Sequence, residues 1–457
     1  MELIFKEKKV MMLKTYTRYF LKLLFLIISA NVYAVEPNTV IATIPVGVNP
    51  AGVAITPDNQ FVYVANSDNT VSVISVATNT VVATIPGFNT PYSITINPAG
   101  TLAYVTNSGS GPGENAISIV SIINNVIVGT IIGFLGPDGM AVTPDGKFGY
   151  VANYGFPFPL DPGNTVTLLD LTNNIIVDEI VVGDFVSDVA ISPNGKFVYA
   201  TCYIDGNPGT GTFSVIDVAT NTLVTTISGF SGPYSIAITP DSKFAYVTNF
   251  GSNNFTPIGT TVIVVDLTSN TITDTIEVGN MPAGIAITPE GSLLYVTNYN
   301  DPNGIPGPGT VNIINVATNE VIAPVINVQE GPGAIAITPD GQYAYVSNYI
   351  DNSASVIALL SFQIVAQACK IRNRFLFQED LINVLTWQVT GASLPVSYSI
   401  YRDAALTDLA AIIPGTGPLQ FFDHNRKPGV VYTYYLVGTN SAGTSSEPII
   451  ISITHRC

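Results

Sequence analysis

Acidic and aromatic residues are the side chains of this sequence best placed to do chemistry, and they fall in two recurring sets. Phe88, Tyr92, Phe134, Asp138, Asp188 and Tyr234, with Phe185 and Phe230, flank short Gly- or Pro-containing links. Tyr154, Asp161, Tyr203, Asp205, Tyr299, Asp301, Tyr349 and Asp351 lie in longer Gly/Pro-rich segments. Rings beside carboxylates and amides suit a glycan or a protein partner, because an aromatic face gives contact area at low entropic cost. Two carboxyls within about 5–10 Å of one another would also support acid–base hydrolysis or a lyase reaction.

Other chemistries lack their residues. A Ser-His-Asp triad needs an imidazole beside the nucleophile, and the only histidines are His424 and His455, near the C-terminus and without a catalytic elbow around them. Zinc or copper needs clustered His or Cys, and the cysteines are Cys202, Cys369 and Cys457. Gly109–Gly113 has no following Lys and no helix to open, so it is no phosphate loop. No metal site and no cofactor are expected. The one cation the loop acids could serve is a structural calcium ion, which needs several converging oxygens; no contiguous calcium-loop pattern is present. Asp170, Asp217 and Asp266, at strand ends, read instead as residues that hydrogen-bond their own turns.

The elements that carry these residues repeat. Tyr63-Val64-Ala65-Asn66 recurs with its Tyr at 104, 150, 246, 295 and 345, and a degenerate copy, Tyr199-Ala200-Thr201-Cys202, fills the gap. Each copy follows a block such as AITPDN from Ala54 or AVTPDG from Ala141. In that block Pro presets φ, and a polar residue and Gly complete a tight turn. A third alternating stretch, such as TVSVIS from Thr70, and a fourth, such as TVVATIPGF from Thr80, complete each unit. Four short strands per unit make a propeller blade. The last unit supplies only three strands, and Asn38–Gly47 (NTVIATIPVG) matches the fourth. The expected fold is therefore all-β: a seven-bladed β-propeller over 35–365, with an N-terminal strand closing the last blade and leaving no open edge. Both acidic and aromatic sets then fall on one face, where the fourth-to-first and second-to-third strand links meet. Lys147, Lys196 and Lys243 fall on the other.

These repeats resemble the YVTN family of β-propellers over roughly residues 38–360. Cys202 departs from the motif's Asn, and Asn97-Pro98-Ala99 departs from the usual turn. The resemblance implies an extracytoplasmic recognition role and no defined reaction. Beyond it, residues 366–457 resemble a fibronectin type III β-sandwich, with Trp387 on the second strand, Tyr432 at a corner position and Lys370–Leu381 irregular.

Composition narrows the partners. The 457 residues are 47% hydrophobic and 11% charged, with a net charge of −16. Residues 35–365 hold 24 acids against three lysines and no Arg or His. Such a surface repels phosphate, which excludes nucleic acid as a partner. Residues 1–34 read as a secretory signal peptide: a basic start, an apolar stretch from Leu23 to Ala30 and a small-residue site ending at Ala34. The chain is then periplasmic, cell-surface or secreted, with no membrane span after cleavage. In an oxidising compartment Cys369 and Cys457 are candidates for a disulfide. The function expected is non-enzymatic recognition of a protein or glycan at a cell surface, with a carboxylate-based hydrolase or lyase as the alternative.

Overall fold

The turn that opens each repeat is held by a side chain standing in for backbone. Thr56, Thr143, Ser192, Thr239, Thr288 and Thr338 each use a hydroxyl to accept the N–H at the far side of the turn, as Thr56 Oγ1 does from Phe61 at 3.0 Å. The residue that closes it adopts positive φ: Gly at 100, 146, 195, 291 and 341, but Asn59 and Ser242 in two blades. In the Asn97-Pro98-Ala99 turn the Asn97 Oδ1 takes over the hydroxyl's task, accepting from Thr101 and Leu102 at 2.9 and 3.1 Å. The departure in sequence leaves the turn intact.

The structure, a computed structural model, describes residues 38–109, 115–155, 163–203, 209–251, 258–299, 307–359, 363–375, 378–390, 397–415, 419–424, 430–439 and 449–453. Among these residues seven four-stranded antiparallel sheets form the blades of a propeller. Blade 1 runs Pro50–Ile55, Phe61–Asn66, Thr70–Ser75, Thr80–Pro86 from axis to rim. Blades 2 to 6 repeat this order, opening with Pro91–Ile96, Pro137–Val142, Val186–Ile191, Pro233–Ile238 and Pro282–Ile287. Blade 7 takes Pro332–Ile337, Tyr343–Asn348 and Ser353–Ala358 from the end of the repeats and Thr39–Pro45 from the N-terminal side. Thr39 pairs with Ala358 and Pro45 with Ser353, so the ring closes as its sequence implies.

Neighbouring blades are joined by packing and by two recurrent hydrogen bonds. Hydrophobic clusters fill each blade interface, such as Tyr63, Val73, Ile94 and Val105 between blades 1 and 2. The buried motif Tyr donates to an Asn in the outer hairpin of the next blade: Tyr63 to Asn125 (2.6 Å), Tyr150 to Asn221 (2.6 Å), Tyr246 to Asn319 (2.8 Å) and Tyr345 to Asn79 (2.6 Å). Tyr295 finds Asn38 at 2.8 Å, just before the closing strand, so the N-terminal segment supplies the hairpin Asn as well as the strand. Nearer the axis, Thr248 donates to Ala283 O, Thr297 to Gly333 O and Ser347 to Ala51 O, each crossing to the next blade. Asp170, Asp217 and Asp266 accept from the N–H groups two and three residues on, as turn residues should.

Cys202 stands where other blades carry the motif Asn and is fully buried. Burial pushes its thiol up to about 11, against partial relief from Thr212 and Ser214. A thiol so placed is not a nucleophile at neutral pH. Iodoacetamide at pH 8, followed by peptide mass mapping, is expected to leave Cys202 unmodified in folded protein and modified in denaturant. Modification at the rate of a free thiol in folded protein would contradict this placement.

The C-terminal region is a small β-sandwich. One sheet orders Gln363–Phe375, Gln378–Thr390 and Gln420–Asp423; the other orders Leu409–Pro414, Ser397–Tyr401, Tyr432–Thr439 and Ile449–Ile453. Leu385 and Trp387 from the first sheet pack with Tyr398, Ile400, Tyr434, Leu436 and Ile451 from the second. The stretch Lys370–Leu381, expected to be irregular, instead lies largely in the long hairpin of the first sheet, where the register places Arg374 opposite Glu379 and Asn373 opposite Asp380. Pairing of this kind is set by backbone register, which an apolar alternation pattern does not reveal. Tyr432 is half-buried at the edge of the core, whereas Tyr434 is fully buried and donates to Asp423 at 2.6 Å.

Candidate functional site

The innermost strands of the seven blades surround the ring axis, and their second and third residues decide what the axis holds. Around the ring these pairs are Ala51-Gly52, Tyr92-Ser93, Asp138-Gly139, Ser187-Asp188, Tyr234-Ser235, Ala283-Gly284 and Gly333-Ala334. Blades 6, 7 and 1 thus present only Ala and Gly, and blades 2 to 5 present hydroxyls and carboxyls. The small side chains on one arc leave a cavity of about 360 Å³ against the polar arc. Phe250, near the end of the second strand of blade 5, and Tyr299 and Tyr349, which follow the second strands of blades 6 and 7, line it toward the loop face. Among the described residues no Lys, Arg or His lines it.

Four polar groups define its chemistry. The Tyr92 and Tyr234 hydroxyls hydrogen-bond to each other, joining blade 2 to blade 5. Burial raises both phenols well above the usual range. Between them in the ring stand the two acids. Asp188 is anchored: one oxygen accepts from Ser235 Oγ and Ile236 N, both at 3.0 Å, and the other from Val189 N at 2.8 Å. Burial still lifts its carboxyl to about 6, the hydrogen bonds opposing the shift. Asp138 is 9% exposed, and among the described residues no hydrogen bond supports it. Burial first, and then Asp188, push its carboxyl well above the ordinary carboxylate range. Gly139 allows this approach of neighbouring blades, since a Cβ there would stand 2.5 Å from Asp188 Oδ1.

The expected site residues divide accordingly. Tyr92, Asp138, Asp188, Tyr234, Tyr299 and Tyr349 meet at the cavity. Phe88 and Phe134 do not: they are 6% and 7% exposed and pack into the interfaces of blades 1 with 2 and 2 with 3. Gly87 and Gly133, at φ 99° and 108°, let the chain turn so that each ring drops between blades. Tyr203 is likewise buried, 6.4 Å from Tyr154, which lies 5.4 Å from Phe185. Asp351 is exposed in the link between the second and third strands of blade 7 and accepts from Glu330 N at 2.7 Å. Asp161, Asp205 and Asp301 lie outside the described residues, as do the signal segment 1–34 and Cys457; the side chain of Cys369 does too, so the candidate disulfide is not described. Among the described residues no group of three or more His, Cys, Asp or Glu gathers as metal ligands, and no helix is long and apolar enough to cross a membrane.

The expected set lacks Ser93, Ser187, Ser235 and the small residues opposite them. The signal for these is present in the repeat alignment, where the second and third residues of the inner strand change from Ala/Gly to Tyr, Ser and Asp in consecutive blades.

No family model matches this chain, and no curated protein matches it. Among solved structures it is similar to Kuenenia stuttgartiensis hydrazine synthase, with a TM-score of 0.59 and 21% sequence identity, over 72% of this chain and 98% of that one. At that identity the likeness speaks to the fold, and the fold it supports is the β-propeller.

Proposed function

We propose that this chain is an exported, non-enzymatic recognition protein of the YVTN type whose loop face binds a protein or glycan partner at the cell envelope or outside the cell. The observation that carries the reading is the axial cavity, where aromatic rings and acids from successive blades converge on the face that also holds the variable loops. Rigid inner strands under variable links are a common way to present a binding surface. The signal-like segment 1–34 supports an extracytoplasmic address, and the near absence of basic residues from 35–365 argues against nucleic acid as the partner. The C-terminal sheets, three strands facing four with Trp387 in the core, support the fibronectin type III resemblance and a role as spacer or second contact. No cofactor is needed for such a role.

The test is binding of residues 35–457 to glycan arrays and to cell-surface preparations, with the double variant Tyr299→Ala/Tyr349→Ala beside it. Both rings line the cavity toward the loops, and loss of two stacking faces is expected to weaken binding about tenfold or more. Unchanged binding would contradict the reading.

One observation favours a second reading, that of a carboxylate-based hydrolase or lyase. Asp138 and Asp188 sit on adjacent blades in unlike environments, one hydrogen-bonded and one not, which is how an acid and a base are set apart. Turnover of chromogenic glycosides that disappears in Asp188→Asn would favour it over recognition alone.

A further inference from the structure

Asp138 is nine-tenths buried, faces the axial cavity and receives no hydrogen bond from the described residues. A carboxyl held that way is costly to ionise unless a positive charge arrives. Among the described residues the lining carries no basic side chain, and Asp188 adds a second acid. The wall around the two acids is aromatic, with Tyr92 and Tyr234 beside them and Phe250, Tyr299 and Tyr349 toward the loops. Ring faces attract a weakly hydrated cation through their quadrupole, and most strongly where water is excluded.

We infer that the axial cavity binds a small organic cation, its ammonium group set against Asp138 and Asp188 and its alkyl part against the rings of Phe250, Tyr299 and Tyr349. This rests on the loop face being the binding face and specifies what occupies its centre. A volume of about 360 Å³ suits a compact molecule. A hard metal ion fits less well, because it needs six to eight oxygens and the described residues offer no cluster of three ligating side chains. An anion meets two acids, and a neutral sugar leaves both acids without a counter-charge. Because the bound cation favours the ionised acids, binding should release protons and strengthen as pH rises. The titratable groups that face it are Asp138, Asp188, Tyr92, Tyr234, Tyr299 and Tyr349 from the lining, with Tyr154 close to the two buried phenols.

Calorimetric titration of the full chain at pH 8 with choline, propylammonium, the neutral carbon isostere of choline, and calcium chloride tests the inference. At least one ammonium compound is expected to bind, with the neutral isostere about tenfold weaker or more. Asp138→Asn, checked for folding by its melting curve, is expected to weaken the ammonium compound by a similar factor. Equal binding of the isostere, unchanged affinity in Asp138→Asn, or binding of calcium alone would overturn the inference. So would a glycan bound at the loop face with none of the ammonium probes, and that result would leave the recognition reading standing.

Discussion

A chain that starts at residue 48 is expected to lose the single cooperative melting transition shown by one that starts at residue 35. The strand Thr39–Pro45 is the outer partner of Ser353–Ala358, every residue of which is buried. Its removal would expose that strand as an unpaired edge. It would also remove Ile44, 4% exposed within the cluster that holds Val64, Ile74 and Tyr345 at the interface of blades 7 and 1. Tyr295 would lose Asn38, and the interface of blades 6 and 7 around its phenol would open to water. Together these losses are of the order of the 5–15 kcal/mol that stabilises a typical domain. Circular dichroism melts should show a broadened transition lowered by more than about 10 °C. A shortened chain melting within a few degrees of the longer one would mean that the ring does not depend on this closure.

Asp138→Asn is expected to stabilise the protein at pH 8 and to have little effect at pH 4. The folded-state carboxyl titrates well above its unfolded counterpart, with burial the main cause and Asp188 the second. Folded protein therefore binds the proton more tightly. The stability that goes with it is fully present below the unfolded value, near 4, and is lost as pH rises through the folded value. At pH 8 the wild-type cavity holds a carboxyl in an environment that disfavours its charge, and a neutral amide of the same shape removes that cost. A tenfold change in proton affinity between the folded and unfolded chain corresponds to about 1.4 kcal/mol, so a rise of several degrees in melting temperature is expected at pH 8. A variant less stable than wild type at pH 8 would show that Asp138 has a stabilising partner. Gain of stability on removing a polar group is the mark of a residue kept for binding or catalysis, which links this result to the cation titration.

The ring was legible because its signals are periodic. Seven copies of a turn block and a Tyr-centred strand identify blades whatever each copy lacks, and the match of Asn38–Gly47 to the fourth strand located the closure. The strand-end acids Asp170, Asp217 and Asp266 were legible for a local reason, since their partners lie two and three residues away. The site was legible only in part. Phe88 and Phe134 share a link type with the inner-strand residues, but a positive-φ glycine turns each ring into a blade interface, and a link's composition does not reveal that direction. The difference between Asp138 and Asp188 arises from hydrogen bonds donated by the following blade, 47 and 48 residues away, beyond any local pattern. The hairpin through Lys370–Leu381 was hidden because its pairing shows in register, not in apolar alternation.

The central claim is that the axial cavity on the loop face is where this protein meets its ligand. Thermal unfolding of residues 35–457, wild type and Ala51→Phe, against one panel of glycans, ammonium compounds and calcium tests it most directly. Ala51 lies on the small-residue arc, so a phenyl ring there fills the cavity. A ligand at about 100 times its Kd should stabilise the wild type by roughly 2.7 kcal/mol. A melting shift is expected for at least one ligand in the wild type and none for that ligand in Ala51→Phe. The same shift in both proteins would place the site elsewhere and contradict it.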